Sequence, residues 1–247
     1  MNEARRIAAC IRSAQFADQV IVVDSGSTDD TCAIAKELGA EVHVHADWQG
    51  FAQQRNHLLR YTTSDYVFFL DADEEIPPAL ATEIIRVVQA GQAGCWRIRW
   101  RQIVFGHTLS RMRCSPGPIR LFQTQNVLHF EGVVHEHALL RDPQTPVKHL
   151  VTPMLHYTRD SIVGSIHKLA QYTALGAAKR KGRRGGVWRG VFAGVAGFLR
   201  IYVFGRAILC GGPGFLLAVF VGLESFFRYV ALAYDTDQDV RDTRRRG

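Results

Sequence analysis

Apolar runs of strand length recur through the first third of the chain, each followed by polar residues and then by a stretch of helical periodicity. Val20-Ile21-Val22-Val23 ends in Asp24-Ser25-Gly26-Ser27-Thr28-Asp29-Asp30-Thr31, and Val67-Phe68-Phe69-Leu70 ends in Asp71-Ala72-Asp73-Glu74-Glu75. The spacing predicts a helix from Asn2 to Ala14, a strand from Gln19 to Val23 and a helix from about Asp29 to Leu38, stopped by Gly39. A short alternating strand, Glu41 to His45, and a helix from Phe51 come next. The apolar strand before Asp71 then leads to a helix that Pro77-Pro78 starts and that ends near Gln89. Strands alternating with helices predict an α/β fold with a mostly parallel, Rossmann-like central sheet.

Beyond Gly91 the pattern changes. Cys95 to Val104 alternates Trp96, Ile98 and Trp100 with arginines, and short strands are expected at Ile119 to Phe122, Val127 to Phe130 and Val133 to Leu139. These read as antiparallel strands appended to the parallel sheet. Helical patterning resumes near Asp160, and Ala207 to Leu223 carries no charge. The expected division is therefore an α/β half at 1–94, mixed strands of the same domain at 95–158 and a helical, basic and apolar region at 159–247. Gly211-Gly212-Pro213-Gly214 interrupts the uncharged stretch, which favours a re-entrant or interfacial placement in a membrane over a clean crossing.

Two strands in one chain thus end in acidic, polar loops, and in a parallel sheet such ends lie along one edge, where ligands of open α/β folds bind. If the extended geometry persists, Asp71 and Asp73 face the same side and offer oxygen donors to a hard divalent cation, which in turn holds a diphosphate. An Asp-x-Asp after a core strand is also what an ordinary surface turn looks like, so the motif gains meaning only from its neighbours.

Composition adds constraints. With 247 residues, 47% hydrophobic and 21% charged, the chain is that of a folded protein, and a net charge of +7 suits an anionic partner. The basic run Lys179-Arg180-Lys181-Gly182-Arg183-Arg184 adjoins the apolar tail, which favours lipid over nucleic acid. The five cysteines are odd in number and lack C-x-x-C spacing, so neither a disulfide framework nor a zinc site is indicated, and a reducing cytosol fits. His43 and His45 share one face of a short strand and read as solvated side chains.

The string Val22 to Thr31, then Asp47-Trp48-Gln49-Gly50-Phe51 with Gln54-Arg55-Asn56, then Leu70-Asp71-Ala72-Asp73-Glu74, resembles glycosyltransferase family 2. Within it, Gly132-Val133-Val134-His135-Glu136 and the tail around Phe198 to Tyr202, Gly214-Phe215 and Arg228-Tyr229 are similar to the bacterial lipopolysaccharide core glucosyltransferase type. The resemblance spans nearly the whole chain. It implies a glycosyltransferase-A fold, a nucleotide-diphosphate sugar, UDP-glucose by preference, and Mg²⁺ or Mn²⁺. It further implies a donor site formed by Asn2, Glu3, Asp24, Gly26, Ser27, Arg55, Asp71, Ala72 and Asp73, with Asp24 bonding the base and Asp73 nearest the metal. His156 is a candidate third ligand beside Asp71 and Asp73. The base that deprotonates the acceptor is expected to be Glu136, with Glu131 as the other choice and His135 orienting Glu136 or touching phosphate.

The function this resemblance implies is that of an inverting hexosyltransferase on the cytoplasmic face of the bacterial inner membrane, with a lipid-linked saccharide such as the lipopolysaccharide inner core as acceptor and no nucleic-acid partner. The oligomeric state is not specified. Family members begin with an apolar strand ending in a Thr-x-Asn-Glu type segment, of which Asn2-Glu3 is present here, so a start upstream of Met1 is expected; a truncated, inactive sugar-nucleotide-binding homologue is the alternative. A phosphohydrolase of the haloacid-dehalogenase kind also places Asp-x-Asp after a strand, but it carries Thr or Val where this chain has Glu75.

Overall fold

The computed structural model describes residues 1–132, 136–178, 180, 182 and 184–235. In chain order the elements are α1 (Ile7–Ser13), β1 (Ile21–Asp24), α2 (Thr31–Glu37), β2 (Glu41–Val44), α3 (Phe51–Tyr61), β3 (Tyr66–Phe68), β4 (Glu74–Glu75) and α4 (Pro78–Gln89). They continue as β5 (Cys95–Val104), β6 (His107–Thr108), β7 (Ser115–Gln123), β8 (Val127–Glu131), β9 (His137–Leu140), β10 (Val147–His149) and β11 (Met154–Arg159). Three long helices complete the chain: α5 (Ile162–Ala178), α6 (Val187–Leu199) and α7 (Gly211–Tyr234). The contacts divide into two compact units, Met1–Trp100 with Ser115–His156, and Arg101–Cys114 with Tyr157–Gly247.

In the first unit, β1 and β2 form a parallel pair in which Val22 stands opposite Val42. Helix α2 makes the crossover between them, and Ile7, Ile11, Ala35 and Ala40 close over Val20, Val22 and Val42. The larger sheet has the order β3-β7-β5-β11-β4, with β6 and β10 paired to β5. It is mixed, and this corrects the expectation of a mostly parallel sheet: β3/β7, β5/β7, β5/β6 and β11/β4 are antiparallel, while β10/β5 is parallel. The reason lies in the connections. The segment between β5 and β7 is too short for the crossover that a parallel neighbour needs, so the chain folds straight back. Among the described residues β1 has β2 as its only strand neighbour and β3 has β7 as its only one.

Helix α4 starts at Pro78, where a missing N–H leaves nothing unpaired, and buries Leu80 and Ile84 against Trp96, Ile98, Leu121, Leu150 and Met154. Phe69, Phe122 and Phe130 fill a second cluster with edge-to-face rings 4.7–5.9 Å apart. These two clusters fix the end of β3. The ladder continues past Phe68, since the Phe69 amide donates to the Arg120 carbonyl at 2.9 Å, and so Arg120 is set against the residues that precede Asp71.

In the second unit Val104, Leu109, Met112, Ala207 and Leu217 form the core. Helices α6 and α7 approach closely because α6 carries glycine at the crossing: a Cβ on Gly190 would lie 2.9 Å from the Phe226 carbonyl, and one on Gly194 3.1 Å from the Gly222 carbonyl. Arg159 pairs with Glu224 and lies over the Phe220 ring. Gly211-Gly212-Pro213-Gly214, expected as an interruption, forms the first turn of α7, where proline removes no helical hydrogen bond. By length and composition, 187–204 and 207–234 are two helices apolar enough to cross a membrane. Trp188, Phe192 and Val195 stand exposed on α6.

Candidate functional site

Asp24 is the last residue of β1, and it is 3% exposed. Its Oδ2 accepts from the Gly26 amide at 2.7 Å and the Ser27 amide at 2.6 Å, and its Oδ1 from the Ser27 hydroxyl at 2.5 Å. Burial alone would raise this carboxyl, yet the bonds from Ser27 and Gly26 outweigh it and hold the group below its ordinary value. Gly26 has φ +90 and a Cβ there would meet Ala46 Cβ at 3.2 Å, so the turn is built for glycine. The amino-terminal segment docks on this loop: the Asn2 amide donates to Ser27 Oγ, Asn2 Oδ1 accepts from the Thr28 amide, and the Glu3 amide donates to Thr31 Oγ1, each at 2.8 Å.

The second half of the site is an arginine and carboxylate cluster at the end of β3. Arg55, buried on α3, donates through Nη2 to Asp71 Oδ1 at 3.2 Å and to Glu136 Oε1 at 3.1 Å, with its Nε 3.3 Å from the same Glu136 oxygen. The Phe69 and Phe130 rings flank its guanidinium at 5.4 and 5.9 Å. Arg120, 2% exposed on β7, also pairs with Asp71 and donates to Glu74 Oε1 at 2.8 Å. Glu74, 1% exposed, accepts further from Trp100 Nε1 at 2.8 Å and from the Asp71 amide at 2.9 Å. Burial would raise the Asp71 carboxyl, but Arg120 and then Arg55 bring it down to about 2. For Glu74 burial wins and the carboxyl is raised, in spite of Arg120. The Cys10 thiol donates to the Asp71 carbonyl at 3.5 Å, and burial together with the charges of Glu74 and Asp71 pushes it up to about 12, so it is no nucleophile.

Asp73 has a different neighbour. Its Oδ2 stands 3.5 Å from His156 Nε2, and β11 brings His156 there by pairing it with Glu74. The His156 ring lies 4.6 Å from that of Trp100, and its buried Nδ1 has no hydrogen-bond partner among the described residues. The two candidate bases separate clearly. Glu136 is gathered with Arg55 and Asp71, whereas Glu131 faces its own hairpin, with His137 Nε2 at 3.3 Å and His129 Nε2 at 3.9 Å. His135 lies outside the described residues. Ala72 turns into the apolar cluster under β1 and α1.

Arg120, Glu74 as a structural partner, and Trp100 are site residues that the sequence reading does not single out. The signal for Arg120 is a lone arginine inside the apolar run Ile119 to Phe122, since a charge in a buried strand needs an opposite charge beside it.

Asp73 and His156 are the pair that a divalent cation would use: both Asp71 oxygens are taken up by Arg120 and Arg55, and among the described residues Asp71 does not gather with Asp73 and His156 into one ligand set. Oxygen donors with one imidazole suit Mg²⁺ or Mn²⁺.

An α/β scaffold with acidic strand ends and a carboxylate cluster of this kind defines a group transferase of the nucleotide-sugar type. Residues 1–138 match the model of glycosyl transferase family 2, and the chain belongs to that family. A lipopolysaccharide core biosynthesis glycosyltransferase of Rhizobium meliloti, LpsC, is 26% identical over 92% of this chain and 86% of its own. An uncharacterized glycosyltransferase of Rickettsia felis is 48% identical over 84 residues, 34% of this chain and 29% of that relative, so the chain matches less than a third of its length. Among solved structures, S. aureus TarS 1–349 in complex with UDP-GlcNAc aligns over 98% of this chain and 87% of that one, at 15% identity and TM-score 0.48.

Proposed function

We propose that this chain moves a hexose, glucose by preference, from a nucleoside-diphosphate sugar to a lipid-linked saccharide with inversion at the anomeric carbon. The observation that carries the reading is that Arg55 holds the carboxylates of Asp71 and Glu136 together, so a base candidate stands beside the Asp-x-Asp. Asp24 would take the nucleotide base. Its carboxylate is held in place by bonds from the Gly26 and Ser27 amides and the Ser27 hydroxyl, which fixes the acceptor that a base N–H would meet. Asn2, Gly26 and Ser27 shape that end of the site.

At the other end Asp73 and His156 would hold Mg²⁺ or Mn²⁺, with Asp71 beside them; when bound, the cation offsets charge gathering on the diphosphate. Glu136 would accept the proton of the acceptor hydroxyl as its oxygen bonds to the anomeric carbon and the diphosphate leaves from the opposite face. A single displacement of this geometry inverts the centre. Arg55 fixes where the Glu136 carboxylate points, and Arg120 with Glu74 keeps Asp71 in place beneath it.

The lipid-linked acceptor is supported by the name of the R. meliloti relative, whose alignment covers most of the chain. Placement at the cytoplasmic face of the inner membrane is supported by the apolar α6 and α7 and by the arginines beside them. The test is turnover of UDP-glucose with Mn²⁺ and a lipid-linked acceptor from a lipopolysaccharide inner core. Wild-type transfer that disappears in a folded Asp73→Ala variant supports the proposal; undiminished transfer in that variant overturns it.

A further inference from the structure

At the carboxyl end of β2, away from the cluster just described, His45, Asp47 and His57 converge. Their ligating atoms all lie within 4.8 Å of one another. His57 is 6% exposed, and neither of its ring nitrogens has a hydrogen-bond partner among the described residues. A buried imidazole left unpaired at both nitrogens carries a desolvation cost. Its ring is stacked on that of His45, centroids 3.8 Å apart, and His45 Nε2 is in turn 3.0 Å from the Tyr61 hydroxyl. Asp47 is exposed beside them.

We propose that His45, Asp47 and His57 form a second metal site, selective for a borderline transition-metal ion such as Zn²⁺ and separate from the one at Asp73. Two imidazoles and one carboxylate are a donor set that suits Zn²⁺ and disfavours Mg²⁺. Donors sharing one tetrahedral ion at ~2.1 Å stand roughly 3.4 Å apart, so the set contracts when it closes on an ion. Parallel rings cannot aim in-plane lone pairs at a common point, and so one imidazole must turn out of the stack. His45, half-buried and on the last turn of chain before an exposed loop, is the one free to do so. Burial and the neighbouring His45 and Arg60 hold His57 below the ordinary histidine value, so it is a neutral ligand at physiological pH.

The ion would tether both arms of the donor site. The His45 amide donates to the Asp24 carbonyl at 2.8 Å, Ala46 fills the space that a Cβ on Gly26 would need, and His57 lies on α3 two residues after Arg55. A bound Zn²⁺ would therefore rigidify the Asp24 loop relative to α3.

The experiment uses tag-free, metal-stripped protein of full length, titrated with Zn²⁺ in excess Mg²⁺ and, in parallel, with Co²⁺ while the visible absorption is recorded. The expected result is one Zn²⁺ per chain that Mg²⁺ does not displace, a tetrahedral-type Co²⁺ band, and a Zn²⁺-dependent rise in melting temperature. All three should vanish in His57→Gln and also in His45→Gln and Asp47→Asn, the last at an exposed position that spares the fold, and all three should persist in Asp73→Asn. Absence of Zn²⁺ binding in the wild type, or binding that survives in the His45 and Asp47 variants, overturns the proposal. Because metal binding is read without sugar transfer, this outcome is independent of the transferase reading.

Discussion

Arg55 donates twice to one oxygen of Glu136, from Nε at 3.3 Å and from Nη2 at 3.1 Å, while the same Nη2 reaches Asp71. A helix at one side of the site thus sets the direction of a carboxylate that the chain supplies 81 residues later. The geometry chooses between two acids that are equals in type along the sequence. Glu136→Gln is expected to lower kcat about 10²–10⁴-fold while the fold is kept, the usual range for a lost general base. Glu131→Gln is expected to leave kcat close to wild type, because that carboxylate serves a pair of exposed histidines. Steady-state transfer rates from UDP-glucose decide the matter, and equal losses in the two variants would contradict the assignment.

Arg120 is the least forgiving position of the cluster. It is buried and bridges Asp71 and Glu74, and its removal strands the Glu74 carboxylate in the interior while Asp71 keeps Arg55. Arg120→Ala is expected to destabilise the chain by about 3–5 kcal/mol, the cost of leaving buried charge unpaired. Lysine does not rescue it, since a single ammonium cannot bridge both acids as a planar fork does. Urea unfolding of the two variants tests this, and a Lys variant as stable as wild type would refute the bridging role.

How much of this is legible in the sequence depends on where the signal resides. Strands that end in Asp24 and Asp71 announce themselves because apolar runs stop at charged residues, and the alternating tryptophans bound β5 correctly at Cys95–Val104. Strand direction is not written in such runs. It depends on connection length and on pairing far along the chain, which is why β3 beside β7 makes the sheet mixed where alternation of strands and helices suggests parallel order. His156 is legible as a metal-ligand candidate from the resemblance alone, and its neighbour Asp73 comes from the pairing of β11 with β4. The Zn²⁺-type cluster is hidden because His45 and His57 belong to different elements, and no local spacing connects them.

The titration of Asp71 gives a pH signature with a definite sign. Its carboxyl stands at about 2 when folded against an ordinary 3.8, so its pairing with Arg120 and Arg55 stabilises fully above 3.8 and is lost as pH falls toward 2. Glu74 is raised and acts in the opposite sense, favouring the folded state as pH falls through its folded value. The net acid limb of stability therefore lies lowest where Asp71 protonates. In Asp71→Asn the decline from pH 3.8 to about 2 should be shallower than in wild type. Guanidinium unfolding across that range measures it; parallel curves for the two proteins would exclude Asp71 as the group responsible.

Trp188, Phe192, Val195, Leu199 and Val203 succeed one another at intervals of three and four residues, and all are exposed, Trp188 and Phe192 at 76% and 73%. Such a stripe covers one face of α6 and its continuation and stays exposed, while Arg184 and Arg189 stand exposed near its start. An apolar face beside cations is the arrangement that lies in an anionic membrane interface, with rings among the acyl chains and guanidiniums at the phosphates. Burying a large apolar side chain contributes about 1.5–3 kcal/mol, so replacing Trp188 and Phe192 together by glutamate should weaken binding to anionic vesicles by more than about tenfold. Raising the ionic strength should weaken wild-type binding as well, because exposed arginines act through a screened field. Vesicle co-sedimentation of both proteins, with neutral vesicles as comparison, reads these effects. If the double variant sediments as the wild type does, α6 faces something other than lipid, and the membrane placement proposed for this transferase has lost its main support.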